Sequence, residues 1–214
     1  MLERVYPIID TATLAECGLD VAEFAEALLD GGARLLQFRH KGAYGAERFE
    51  QLHHVAALCR DAGAQLIVND RADLAVLVDA GLHVGQGDLE PAQARSVIGR
   101  ALLGLSTGGI EQMRAAAAEP VDYVALGPIF ATSSKVDADP AVGLEVLRAC
   151  RALTSRPLVA IGGITLDNAA QVLEAGVDSV AVIRGLLPEN CAAGAVRPED
   201  VRARMQEWIR RVSA

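Results

Sequence analysis

Gln65-Leu66-Ile67-Val68-Asn69-Asp70-Arg71-Ala72-Asp73-Leu74-Ala75-Val76-Leu77-Val78-Asp79-Ala80-Gly81-Leu82-His83-Val84-Gly85-Gln86-Gly87-Asp88 contains one complete unit of the fold. Two short apolar runs, Gln65–Val68 and Leu82–Val84, flank a helix-like stretch at Arg71–Asp79. Neither run alternates with polar residues, so each suits a strand covered on both faces, which is the pattern of a parallel sheet under helices. Gly81 follows the helix, where a residue without Cβ can turn left-handed. Both runs end in polar residues, Asn69-Asp70 and Gln86-Gly87-Asp88.

The same unit recurs in both directions. Apolar runs at Val5–Ile9, Leu35–Phe38, Ala101–Leu105, Tyr123–Leu126, Leu158–Ile161 and Ser179–Ile183 bring the strands to eight. Helix-like stretches at Asp20–Asp30, Ala46–Ala62, Pro91–Ile98, Ile110–Ala118, Gly143–Thr154, Thr165–Ala175 and Pro198–Arg211 fill the remaining intervals. Gly31-Gly32, Gly63 and Gly176 punctuate helix ends, and Thr165 and Asp88 offer N-capping oxygens. Eight such units close into a (β/α)8 TIM barrel, an α/β fold, here one domain over residues 1–214. An open doubly wound sheet is the alternative, but no Gly-x-Gly-x-x-Gly follows the first strand. Ala131–Pro140 is long and polar enough to fold over a ligand, and Tyr44–Gly45 is a shorter excursion.

With 51% hydrophobic residues, a chain of 214 can bury a sizeable core. Its formal net charge of −8 argues against nucleic acid or an anionic membrane as partner. No apolar run approaches the ~20 residues that span a bilayer, and Met1-Leu2-Glu3-Arg4 lacks a signal pattern, so the cytoplasm is the expected location. Cys17, Cys59, Cys150 and Cys191 form no Cys-x-x-Cys pair and read as reduced thiols.

In a barrel, all strand C-termini share one rim, so distant residues converge there. Gln37, Arg39 and Lys41 leave the second strand, Asn69 and Asp70 the third, Asp88 the fourth, Ser106 the fifth, and Thr132, Ser133, Ser134 and Lys135 the sixth. Paired carboxylates among cations suit Mg²⁺ with phosphate oxygens and water as its other ligands. Arg39 offers a planar fork, while Lys41 and Lys135 act as point charges. His40 points away from this clamp if its strand alternates. Gly162-Gly163 and Ile183-Arg184, after the last two strands, suit a phosphate held by backbone N–H groups. The plainer alternatives are helix starts or salt bridges for the aspartates, tight turns for the glycines, and core packing for His83.

These motifs resemble those of the thiamine phosphate synthase family over nearly the whole chain: Gln37-Phe38-Arg39-His40-Lys41, Asn69-Asp70-Arg71, Gly81 to Asp88, Gly127-Pro128-Ile129-Phe130 and Ala160-Ile161-Gly162-Gly163-Ile164. The resemblance implies a Mg²⁺-dependent transferase joining hydroxymethylpyrimidine diphosphate to hydroxyethylthiazole phosphate, with release of pyrophosphate. It implies Asp70 and Asp88 as metal ligands. Gln37, Phe38, Arg39, His40, Lys41, Asn69, Ser106 and Lys135 would bind the pyrimidine diphosphate, with Arg39, Lys41, Ser106 and Lys135 serving the chemistry. Thr132, Ser133, Ser134, Gly163, Ile183 and Arg184 would hold the thiazole phosphate. Two positions depart from the family pattern: Gly108 stands where members often carry histidine, and Arg184 where a serine is common. A thiazole tautomerase-like enzyme of the same fold and a non-enzymatic phosphate-ligand sensor are the competing functions. The missing histidine at Gly108 counts against the tautomerase. The sequence does not specify oligomeric state.

Overall fold

A computed structural model describes residues 2–132, 140–188, 191 and 196–213. Strands β1 (Val5–Asp10), β2 (Leu35–Arg39), β3 (Gln65–Asn69), β4 (Gly81–Val84), β5 (Leu103–Thr107), β6 (Tyr123–Leu126), β7 (Leu158–Ile161) and β8 (Ser179–Val182) pair in chain order. They form a closed parallel barrel in which β8 returns to β1. The expected α/β barrel is therefore the observed fold.

Helices α1 (Thr11–Cys17), α2 (Val21–Asp30), α3 (Ala46–Asp61), α4 (Ala72–Leu77), α5 (Pro91–Ile98), α6 (Ile110–Ala116), α7 (Gly143–Arg151), α8 (Ala169–Glu174) and α9 (Pro198–Ser213) cover it. Strand alternation divides the core in two. Tyr6, Ile8, Leu35, Ile67, Tyr123, Ala125, Val159 and Ala181 fill the barrel, while Phe38, Val68, Leu82 and Leu126 face the helices. On β2 this parity turns Gln37 and Arg39 inward beside Leu35 and sends Phe38 outward.

Several boundaries differ from the sequence reading for local reasons. β5 starts at Leu103 rather than Ala101, because the Ala101 N–H turns back onto Ile98 O at 3.2 Å. β5 also runs on to Thr107, so Ser106 lies inside the strand. α1 was not expected; it is short, and the Asp10 carboxylate caps it by accepting the Thr13 N–H at 2.9 Å. Neither expected cap forms. Asp88 accepts the Gly85 N–H at 2.8 Å while α5 begins later at Pro91. Thr165 donates its own N–H to Asn168 Oδ1 at 2.8 Å, which holds a turn ahead of α8. Gly81 opens β4, and Asp79 takes the left-handed turn with φ of 55°.

The cysteine expectation also needs correction: Cys17 and Cys191 form a disulfide across a sequence separation of 174 residues. Closure of the barrel brings their Cα atoms to 5.2 Å, a proximity that sequence spacing does not reveal. Cys59 and Cys150 are free and buried. Burial pushes the Cys59 thiol up to about 12. Thiol titration of denatured, unreduced protein is expected to find Cys59 and Cys150 alone. Cys17→Ser should lower unfolding free energy by about 2–4 kcal/mol, because the bridge closes most of the chain into a loop.

Trp208 of α9 is fully buried and donates its indole N–H to Gly185 O at 2.9 Å. It locks the C-terminal helix over the end of β8. Trp208→Phe keeps an aromatic ring but loses that hydrogen bond and some volume, so a denaturant titration should show a loss of about 1–2 kcal/mol.

Candidate active site

The C-terminal mouth of the barrel opens into a cavity of about 750 Å³. Gln37, Arg39, Lys41, Asn69, Asp70, Asp88, Ser106, Thr132, Gly163, Ile183 and Arg184 all line it. The rim thus gathers side chains and backbone from β2 through β8. Ser133, Ser134 and Lys135, and most of the candidate lid, lie outside the described residues. Phe38 does not reach the cavity; it is fully buried in the outer core. His40 also turns away, pairing Nδ1 with Thr11 Oγ1 at 2.7 Å and donating from Nε2 to Ala43 O at 3.2 Å.

Arg39 is held by Asp10, a carboxylate that the sequence reading missed. The Arg39 guanidinium donates to Asp10 Oδ2, while Oδ1 accepts the Thr13 N–H and hydroxyl at 2.9 and 2.8 Å. Asp10 is only 3% exposed, so Arg39 meets the cavity with one edge already anchored. Lys41 is half-exposed, and its Nζ lies 2.5 Å from Asp70 Oδ2.

Asp70 adopts φ of 64°, a left-handed conformation uncommon outside glycine, and its N–H is tied to His83 O at 2.8 Å. This backbone turn points its carboxylate at Asp88. Burial raises the Asp70 carboxyl above its usual range, and the hydrogen-bonded Asp88 raises it further against the pull of Lys41. Burial acts the same way on Asp88, but the Asp70 hydrogen bond, the Gly85 N–H and Lys41 outweigh it and leave Asp88 lowered. Two carboxylates set against each other oppose one another's ionisation, and the upward shift falls on Asp70.

Under the charges lies a neutral floor. His83 is buried; its Nδ1 meets Tyr123 Oη at 2.9 Å and its Nε2 meets Ser106 Oγ at 2.8 Å. Burial pushes this imidazole down to about 4, so it is uncharged near neutral pH. The Asn69 side-chain NH₂ is buried with no hydrogen-bond partner among the described residues. An unpaired buried donor is costly, and a ligand acceptor in the cavity would satisfy it.

Backbone shapes the opposite wall. Ile129 N–H bonds Ile161 O at 2.9 Å and Phe130 N–H bonds Gly162 O at 3.0 Å, zipping the segment after β6 onto the end of β7. A Cβ at Gly163 would sit 2.5 Å from Ala131 O, and its φ is 63°. Only glycine fits this close approach. The Arg184 side chain is occupied by Glu16 of α1.

The thiamine monophosphate synthase family profile matches residues 5–186. The chain belongs to that family. It is 50% identical over 192 residues to the thiamine-phosphate synthase of Koribacter versatilis, covering 87% of this chain and 90% of the relative. It is 44% identical to that of Chloroflexus aurantiacus over 173 residues, 80% of each chain. Among solved structures, the thiamine phosphate pyrophosphorylase of Pyrococcus furiosus superposes with a TM-score of 0.84 at 33% identity, covering 98% of this chain and 95% of that one. Within the thiamine monophosphate synthase family, this member's Gly108 leaves its wall of the cavity to backbone: the Gly108 N–H donates to Gln112 Oε1 at 2.6 Å.

Proposed function

We infer that this thiamine-phosphate synthase carries out its transfer in the rim cavity, with Asp70, Asp88, Arg39 and Lys41 at the diphosphate and the neutral floor under the pyrimidine. The carrying observation is the Asp70–Asp88 carboxylate pair beside Arg39 and Lys41 at the cavity. Two adjacent carboxylates repel each other, and a cation bound between them would relieve that repulsion.

The donor set fits Mg²⁺. Among the described residues no cluster of three or more His, Cys, Asp or Glu assembles, so Asp70 and Asp88 leave positions for water and phosphate oxygens, as Mg²⁺ requires. Bound there, Mg²⁺ would neutralise diphosphate charge and improve the leaving group.

The chain's own groups divide the remaining tasks. Arg39, fixed by Asp10, presents a rigid fork to phosphate oxygens, and Lys41 adds a mobile charge. Together they stabilise charge gathering on the departing pyrophosphate as the pyrimidine methylene C–O bond breaks. Asn69 supplies its unpaired donor to the same ligand. Gly163 and the backbone at Ile183 and Arg184, with Thr132, hold the phosphate end of the thiazole so that its ring nitrogen forms the new C–N bond. Cavity walls exclude water from the electron-deficient methylene carbon. Among the described residues no helix is long and apolar enough to cross a membrane.

The test is to supply the pyrimidine diphosphate and thiazole phosphate and to measure pyrophosphate and thiamine phosphate. Equimolar products, lost on chelation and restored by Mg²⁺, are the expected result. Calorimetric Mg²⁺ binding should weaken at least tenfold in Asp88→Asn, independently of turnover. A well-folded protein that forms no product would overturn the assignment.

A further inference from the structure

A polar chain crosses the inside of the barrel below the cavity. Gln37 Nε2 donates to Tyr6 Oη at 2.9 Å, Tyr6 Oη meets Tyr123 Oη at 3.1 Å, and Tyr123 Oη meets His83 Nδ1 at 2.9 Å. His83 Nε2 then meets Ser106 Oγ at 2.8 Å. The links join β2, β1, β6, β4 and β5, so no stretch of sequence contains them. Tyr6, Tyr123 and Gln37 are buried, and burial holds both phenols well above their usual range, hence protonated. Gly104 faces this chain: a Cβ there would collide with the Tyr123 ring and hydroxyl.

Each member has a limited set of donors and acceptors, and this settles the direction of the chain. Gln37 can only donate through Nε2, so Tyr6 oxygen accepts there. If Tyr6 also accepted from Tyr123, its own O–H would be left without a partner at a buried position, at a cost of about 1–3 kcal/mol. Tyr6 therefore donates to Tyr123, and Tyr123 donates to His83 Nδ1. A neutral imidazole accepting at Nδ1 carries its proton on Nε2, so His83 donates to Ser106 Oγ. With its oxygen engaged as acceptor, the Ser106 hydroxyl proton is free to point into the cavity.

We propose that the chain Gln37–Tyr6–Tyr123–His83–Ser106 sets the His83 tautomer and thereby makes Ser106 a hydrogen-bond donor to the pyrimidine substrate. His83 and Tyr123 are positioning residues that act through Ser106. The reversed tautomer would draw the Ser106 proton into His83 Nε2 and present the ligand with a lone pair. The same floor would then repel acceptor atoms that it now binds. This inference rests on the assignment of the cavity to the pyrimidine diphosphate, while its direct test does not.

That test is ¹⁵N NMR of histidine-labelled wild-type protein without substrate, with His83→Asn used to assign the signals. The expected spectrum has Nε2 protonated and Nδ1 bare; protonated Nδ1 with bare Nε2 overturns the proposal even in an active enzyme. Kinetics supply the second arm. Tyr123→Phe removes the donor that fixes the tautomer and should raise KM for the pyrimidine diphosphate about tenfold, leaving KM for the thiazole phosphate within about twofold. In a Ser106→Ala background the same substitution should change neither value by more than about twofold. Equal losses in both backgrounds, or for both substrates, would show a structural role only and would also overturn the proposal. Absence of product from wild type would reject the cavity assignment and leave the NMR result to decide the tautomer.

Discussion

Asp70→Asn is expected to lower kcat/KM about 10³-fold while the protein stays folded, because one charge of the carboxylate pair disappears with little change in shape. Asparagine is the informative replacement. Asp70 sits at φ of 64°, which asparagine tolerates far better than alanine does. Asp70→Ala would mix backbone strain with the loss of charge. Lys41 loses its ionic partner in either variant, but the lysine end of that pair is half-exposed and the pair contributes little stability.

The pH dependence of unfolding gives Asp70→Asn an independent signature. The Asp70 carboxyl is raised by burial and then by Asp88, so the folded chain binds its proton more tightly than the unfolded chain. Stability from that group is complete below the unfolded carboxylate range and is lost as pH rises through the raised folded value. Asp70→Asn removes this decline, so metal-free variant and wild type should converge in acid, with the variant relatively more stable toward neutral pH. Full activity in the variant, or Mg²⁺ binding equal to wild type, would remove Asp70 from the site.

What could be read from sequence follows from how each feature is encoded. Unalternated apolar runs ending in polar residues mark both the strands and their functional ends, which is why β3 and β4 announce Asn69, Asp70 and Asp88. The same rule hides polar groups inside strands. Tyr6, Tyr123 and His83 sit among apolar neighbours and read as core, and only closure of the barrel shows that their inward alternation joins them. Asp10 escaped notice because it falls at the join of β1 and the unexpected α1. Phe38 and His40 belong to the motif by sequence, although strand parity turns both from the cavity. The Cys17–Cys191 bridge depends on three-dimensional proximity that no local pattern encodes.

Arg39→Met should lower kcat/KM about 10²- to 10³-fold and also destabilise the fold by about 3–5 kcal/mol, because Arg39 has two jobs. Toward the cavity it is a phosphate fork. Toward the protein it neutralises Asp10, which is almost fully buried at the barrel rim. Methionine preserves much of the arginine stem and leaves the Asp10 charge uncompensated, so loss of activity alone would be ambiguous. Adding Asp10→Asn removes that charge and keeps an oxygen to accept from the Thr13 N–H and hydroxyl. The double variant should recover most of the lost stability and none of the lost activity. Recovery of both would mean that Arg39 serves the fold and that the diphosphate is held by other cations. Recovery of neither would mean that the Arg39 stem packs the rim as well as charging it.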